Sequence, residues 1–223
     1  MQKFATTAPI TAVLDIPAGR VQIVAADQPH TIVEIKPADA TKSRDVKAAE
    51  QTTVGYDNGV LRIEGAPAKN QYFGASGSLD VTIELPAGSR IEAKSGAAEF
   101  RTAGRLGDVT FEGAHGSAQI DETASLRLTV HAGDVSVARL AGDSEISVAA
   151  GDIHIAEALH GTLTLRTESG KISVGAAHGT SATLDAGTSY GRIHNALNNT
   201  EGAAAALNIH ATTANGDITA RSL

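Results

Sequence analysis

Residues 133–137 read GDVSV, residues 151–155 read GDIHI and residues 170–174 read GKISV. Each stretch opens on glycine and then alternates apolar with polar side chains. Val135, Val137, Ile153, Ile155, Ile172 and Val174 therefore share one face of three short strands, and the residues between them share the other. The pattern extends in both directions. Upstream stand GSAQI at 116–120 and GAAEF at 96–100, and downstream GRIHN at 191–195 and GDITA at 216–220. Successive glycines are 20, 17, 18, 19, 21 and 25 residues apart. A second set of alternating segments falls between them: LRLTV at 126–130, SEISV at 144–148, TLTLR at 162–166 and ALNIH at 206–210. Each repeat thus holds two strands joined by Gly-rich turns. A unit this small cannot bury its apolar row alone, so successive units must stack. The spacing predicts an all-β solenoid of about 17–21 residues per coil, continuous over 96–223, with Gly133, Gly151 and Gly170 at equivalent corners.

The first 95 residues speak the same language less regularly, with GRVQI from Gly19, GVLRI from Gly59 and SLDVTIELPAG ending at Gly88. IPAG, ending at Gly19, and LPAG, ending at Gly88, read as nearly the same turn, since proline presets φ and glycine supplies a positive φ. Two segments interrupt the strands. Residues 37–52 are polar and read as a short helix or excursion; residues 65–78, GAPAKNQYFGASGS, read as a long loop. This portion is expected to cap the solenoid, whose open end would otherwise expose unpaired edge and core.

Composition agrees. The 223 residues are 42% hydrophobic, enough for a real core, while aromatics reach only 3% and tryptophan is absent. Such a core is built from small and β-branched side chains in thin layers. Charged residues make up 19% with a formal net charge of −7, which argues against nucleic-acid binding. No cysteine is present, so disulfides, thiolate metal sites and a cysteine nucleophile are excluded. No apolar run approaches the length of a membrane-spanning helix. The N-terminal run MQKFATTAPITAVLDIPAG is broken by Pro9 and Asp15 and makes a poor export signal, so a cytoplasmic location is expected.

GRVQI, LPAGSRIEAKSG and the recurrent GDVSV, GDIHI and GDITA units resemble a bacterial β-strand-repeat family of unknown function labelled "putative adhesin". The resemblance covers the chain from about Phe4 onward and implies a single-stranded right-handed β-helix, a handedness that strand spacing does not give. It implies no catalytic residues. GRIHN departs from the pattern, because Asn195 stands where an apolar residue is expected, and NALNNTEGAAAA follows it as an insertion.

Several constellations invite a chemical reading. GTSYG at 187–191 matches G-x-S-x-G, but a nucleophile elbow needs a helix after the turn and none is expected here. His160 and His178 precede turn glycines one coil apart, and stacked imidazoles about 5 Å apart would offer a metal two ligands where a stable zinc site takes three or four. No catalytic residue and no cofactor are therefore assigned. His154, Ser173 and His194 are expected on successive coils of one wet face. Asp134, Asp152, Lys171, Arg192 and Asp217 form a column after the repeat glycines, with Asp152 facing Lys171 and Arg192 facing Asp217. Tyr72, Phe73 and Tyr190 are large rings in loop or turn positions of a ring-poor chain, which marks them as a recognition surface. The expected function is a non-catalytic scaffold that presents an extended face to a protein partner, with end-to-end or homo-oligomeric stacking open to it. The competing reading is a cofactor-free cyclase or isomerase that orients one small hydrophobic molecule in a pocket beside residues 65–78. A deep apolar cavity there would favour the enzyme, and a flat face the scaffold.

Overall fold

A computed structural model describes residues 1–65 and 77–223. The chain forms two compact units, Met1–Gly116 and Ser117–Leu223.

In the first unit the strands are β1 (Gln2–Ala5), β2 (Thr11–Ala26), β3 (His30–Pro37), β4 (Thr53–Asp57), β5 (Val60–Glu64), β6 (Leu79–Pro86), β7 (Arg90–Ala103) and β8 (Arg105–His115), with one helix, α1 (Ser43–Gln51). β2 is the axis of the unit. Its first half pairs in parallel with β5 on one side and β7 on the other; its second half lies in parallel between β6 and β7. The first coil of the chain is thus inserted between the second (β5 and β6) and the third (β7). Beyond that second coil the strands turn antiparallel. β4 pairs with β5 through a tight hairpin in which Asn58 (φ 48°) and Gly59 (φ 79°) supply the two positive-φ residues of a two-residue turn. β3 covers β6, and β1 covers β3. Residues 37–52 hold α1, anchored by Asp45, which is only 4% exposed and accepts the Ser78 backbone N–H at 3.0 Å. Inward residues such as Leu14, Ile16, Ile23, Leu61, Ile63, Ile83 and Ile91 are fully buried, and Phe100 stacks on Phe111 at a centroid distance of 4.7 Å.

The second unit contains β9 (Ala118–Ala132), β10 (Val135–Leu140), β11 (Ser144–Ala150), β12 (Ile153–Ala158), β13 (Gly161–Ser169), β14 (Ile172–Ala176), β15 (Ala182–Tyr190), β16 (Ile193–Ala196), β17 (Leu207–Asn215) and β18 (Ile218–Ser222). They form two parallel ladders. One runs β9, β11, β13, β17, β15; the other runs β9, β10, β12, β14, β18, β16. All six inward residues read from the repeats, from Val135 to Val174, are buried. The corner glycines stack as well: a methyl group at Gly151 would collide with the Gly133 carbonyl oxygen, one at Gly170 with that of Gly151, and one at Gly216 with that of Gly170. Gly216 also holds a φ of 153°, so no side chain fits there.

The ladders are not stacked in chain order. The C-terminal coil, β17 and β18, lies between the coil of β13 and β14 and the coil of β15 and β16. Coil 182–196 is therefore the outermost rung of this unit, bonded in its ladders to the C-terminal coil alone. This corrects the expectation for the wet face: Ser173 is followed by Thr219 and only then by His194, so His154 and His194 stand three rungs apart instead of two. It also accounts for Asn195, whose inward position faces the open end of the stack.

Two register expectations differ in the first unit. IPAG and LPAG are not equivalent turns. Pro17 and Gly19 lie within the continuous strand β2, at a corner where a side chain on Gly19 would collide with the Leu79 backbone, whereas Ala87 and Gly88 form a true turn. Gly96 is not a corner glycine either. Ala98 occupies the corner opposite Gly19, and Gly116 stacks upon Ala98, whereas Gly96 lies against the Pro17 carbonyl.

Candidate functional site

Alternation on β2, β5, β7 and β8 sends Leu14, Ile63 and Ala93 inward and leaves Asp15, Glu64, Glu92, Lys94 and Glu112 on the outward face. In register, Glu64, Asp15, Lys94 and Glu112 form one row across four strands, and Arg62, Val13, Glu92 and Thr110 form the next. Between the rows lies a hollow of about 400 Å³, open to solvent. Lys94 is drawn to one side by Glu112, 3.1 Å away. Four carboxylates and one ammonium line the hollow itself, with the Arg62 guanidinium at the end of the second row, so the balance is negative, and the side chains that bound it stand on strands, whose backbone fixes their spacing. Glu64 precedes Gly65, whose N–H is bonded to the Asp15 carbonyl at 2.8 Å, so the hollow borders the last described residues before 66–76. Tyr72 and Phe73 lie outside the described residues.

A second recess of about 380 Å³ is lined by Tyr56, Asn58, Val60 and Arg62 at the β4–β5 hairpin. The Tyr56 ring meets Phe4 at a centroid distance of 5.3 Å, tilted by 37°. This pair lies on the antiparallel strands that cover the edge. Sequence reasoning did not single it out, although the Asn58-Gly59 hairpin signal stood next to it.

In the second unit Tyr190 ends β15 and is 77% exposed. GTSYG lies along β15 and its corner, followed by β16, a strand, where an elbow would require a helix. Asp185 on β15 accepts from or pairs with the Nδ1 atom of His210 on β17 at 3.3 Å. His160 and His178 are both exposed. Among the described residues no three His, Cys, Asp or Glu side chains gather in a way that could hold a metal ion. The column after the repeat glycines works differently from a set of ion pairs. Asp134 accepts the Asp152 backbone N–H at 2.9 Å, Asp152 accepts that of Lys171 at 2.7 Å, and Asp217 accepts that of Arg192 at 2.9 Å. Facing residues are those expected, but each carboxylate caps the main chain of its neighbour. Thr167, Thr213 and Thr188 bond in turn to the corner carbonyls of Gly151, Gly170 and Gly216. No helix among the described residues is long and apolar enough to cross a membrane.

Likeness to known proteins follows the ladders. A crystal structure of a "putative adhesin" from Bacteroides fragilis superposes with a TM-score of 0.64 at 14% identity, over 98% of this chain and 95% of that one. A second "putative adhesin", from Parabacteroides distasonis, superposes with a TM-score of 0.55 at 16% identity, over the same shares. At such identities the likeness is one of fold. No curated protein matches the chain. The family profile described as Toastrack DUF4097 matches residues 75–221, taking in the whole run of Gly-led repeats. The profile spans well over half of the chain, and this chain belongs to the Toastrack DUF4097 family.

Proposed function

We propose that the protein is a non-catalytic binding scaffold, its coils wound as a single-stranded right-handed β-helix, and that it presents the outward face of the first unit to a protein partner bearing a basic segment. One observation carries the reading: the hollow walled by Asp15, Glu64, Glu92 and Glu112 at the root of the 66–76 segment. Its carboxylates are spaced by the strand register, so a row of lysines or arginines on a partner meets a fixed charge pattern without ordering the scaffold first. Tyr72 and Phe73, which follow Glu64 and Gly65 in the sequence, are the apolar anchors this reading assigns to the surface. A small hydrophobic substrate would want enclosure by apolar walls, and the charged rim of this hollow favours the scaffold over a cyclase or isomerase.

The test is capture of partners from native lysate by the wild type and by two variants. Glu64→Lys with Glu92→Lys should abolish recovery of the partner, and Tyr72→Ala with Phe73→Ala should weaken it about thirtyfold. Both should leave stability within about 0.5 kcal/mol, as for most surface substitutions. Equal recovery by wild type and the charge-reversed variant would refute the proposal.

A further inference from the structure

The outermost rung of the second unit carries an edge that is ready to pair. β15 has one ladder partner among the described residues, β17; the Ala182 N–H bonds to the Asn198 carbonyl and the Tyr190 carbonyl to the Gly216 N–H, which leaves the outward main-chain groups of Leu184, Ala186 and Thr188 with no strand beside them. Edge strands are commonly blunted by lysine, proline or a bulge. β15 has none of these: its register with β17 runs unbroken from Ala182 to Thr188, and its one charge, Asp185, is engaged by His210. The end of the core is open beside it. Ile193 is 46% exposed, Tyr190 is 77% exposed, and Leu184 and Ala186 are only half buried although their column neighbours Ile209 and Ala211 are fully buried.

We propose that two copies of this chain join through β15, paired antiparallel about a two-fold axis at Ala186. The sequence of the strand selects this partner, because the edge complements itself. With Ala186 on the axis, Leu184 meets Thr188 of the mate and Ala186 meets its own copy, so half-buried inward side chains cover one another. Asp185 falls opposite Gly187, which removes the like-charge contact that an axis at Asp185 would impose. A foreign strand would satisfy the backbone edge without this match of Leu184 to Thr188 and of Asp185 to Gly187. The inference is independent of the hollow on the first unit, and its failure would leave that reading untouched.

The experiment uses the full chain. Sedimentation over a wide concentration range should show a reversible dimer. Because the protein has no cysteine, one introduced thiol reports without background. Ala186→Cys should oxidise to a covalent dimer, since facing Cα atoms in an antiparallel pair lie about 4.5–5.5 Å apart, within disulfide reach. Ser136→Cys, on an interior rung, should form no disulfide-linked dimer. Residue 187 then gives a test with two signs, at a position where an added Cβ meets no atom within 4 Å. Gly187→Asp should raise the dimer dissociation constant about tenfold by opposing Asp185 of the mate, and Gly187→Lys should lower it. A monomer at every concentration, no crosslink at 186, or shifts of the same sign for the two residue-187 variants would overturn the proposal.

Discussion

Both units place a terminal segment one rung in from their outer edge, yet they finish that edge differently. In the first, β2 is inserted beneath the coil of β5 and β6, and three antiparallel strands, β4, β3 and β1, then close over it. In the second, β17 and β18 are inserted beneath the coil of β15 and β16, and no strand among the described residues covers that coil; only residues 198–201 bond to it, at Ser181 and Ala182. The antiparallel cover takes the outer rung's main-chain groups out of solvent and ends parallel growth. Without it, inward-facing positions become surface positions, and the sequence follows: the column Val137, Ile155, Val174, Ala220 ends in Asn195. Polarity at an inward position is therefore a marker of depth in the stack.

The harshest test of that contrast sets an interior rung against the outer one. Val137→Asp buries an unpaired charge and should cost several kcal/mol against a total of about 5–15, enough to unfold the second unit, as read by circular dichroism and thermal melting. Ile193→Asp, on the outer rung at the end of the neighbouring inward column that runs from Val135, should cost less than about 1 kcal/mol. Equal losses would erase the distinction between the rungs. Next in size is Gly216→Ala, which sets a methyl group against the Gly170 carbonyl at a φ of 153° and should cost about 3 kcal/mol or more in a denaturant melt. Gly187→Ala, in open space on the outer rung, should change stability by no more than about 0.5 kcal/mol. Hydrogen exchange sharpens the comparison without substitutions. Amides of β16 should exchange faster than those of β12 and β14, and those of β5 should be shielded by β4.

The smallest effect concerns the covered edge. Asp39, ahead of α1, accepts both the hydroxyl and the backbone N–H of Thr41, at 2.6 and 2.9 Å, with Lys42 3.1 Å away, and these bonds hold its pKa down to about 2 from 3.8. A carboxylate whose pKa is lowered on folding contributes stability above its unfolded pKa and loses it as pH falls through the folded value. The turn should therefore keep its Thr41 bonds at pH 4 and give them up between about pH 3.8 and 2, a loss that Asp39→Asn should make independent of pH. Chemical shifts of Thr41 against pH would show it.

How much of this was legible in the residues differs between the units for a physical reason. Period-two alternation and corner glycines report which face of a strand is buried and where it bends, so the rungs from Gly116 onward could be read directly. Alternation carries no information on which rung lies next to which, because any parallel neighbour with a matching corner satisfies the same pattern. The order of coils 161–176, 207–222 and 182–196 was thus hidden, with Asn195 and the 25-residue interval before Gly216 as its only traces. In the first unit the Asn58-Gly59 pair announced a hairpin and went unread among the Gly-led repeats. Gly96 misled because a glycine at the right interval looks like a corner, while the corner itself is held by Ala98. The hollow escaped notice since it arises from residues on four strands, Asp15 to Glu112, that only the stacking brings together.

The inserted position of the last coil also bears on how the protein is made. A ribosome delivers residues 182–196 before residues 207–222, yet the earlier segment has no rung to lie on until the later one is in place. For that interval Leu184 and Ile193 wait unshielded on the nascent chain, and the second unit can close only after residues 207–222 have been synthesised. Removing residues 207–222 would then strip two rungs at once: the coil deleted, and coil 182–196, whose ladder partner it was.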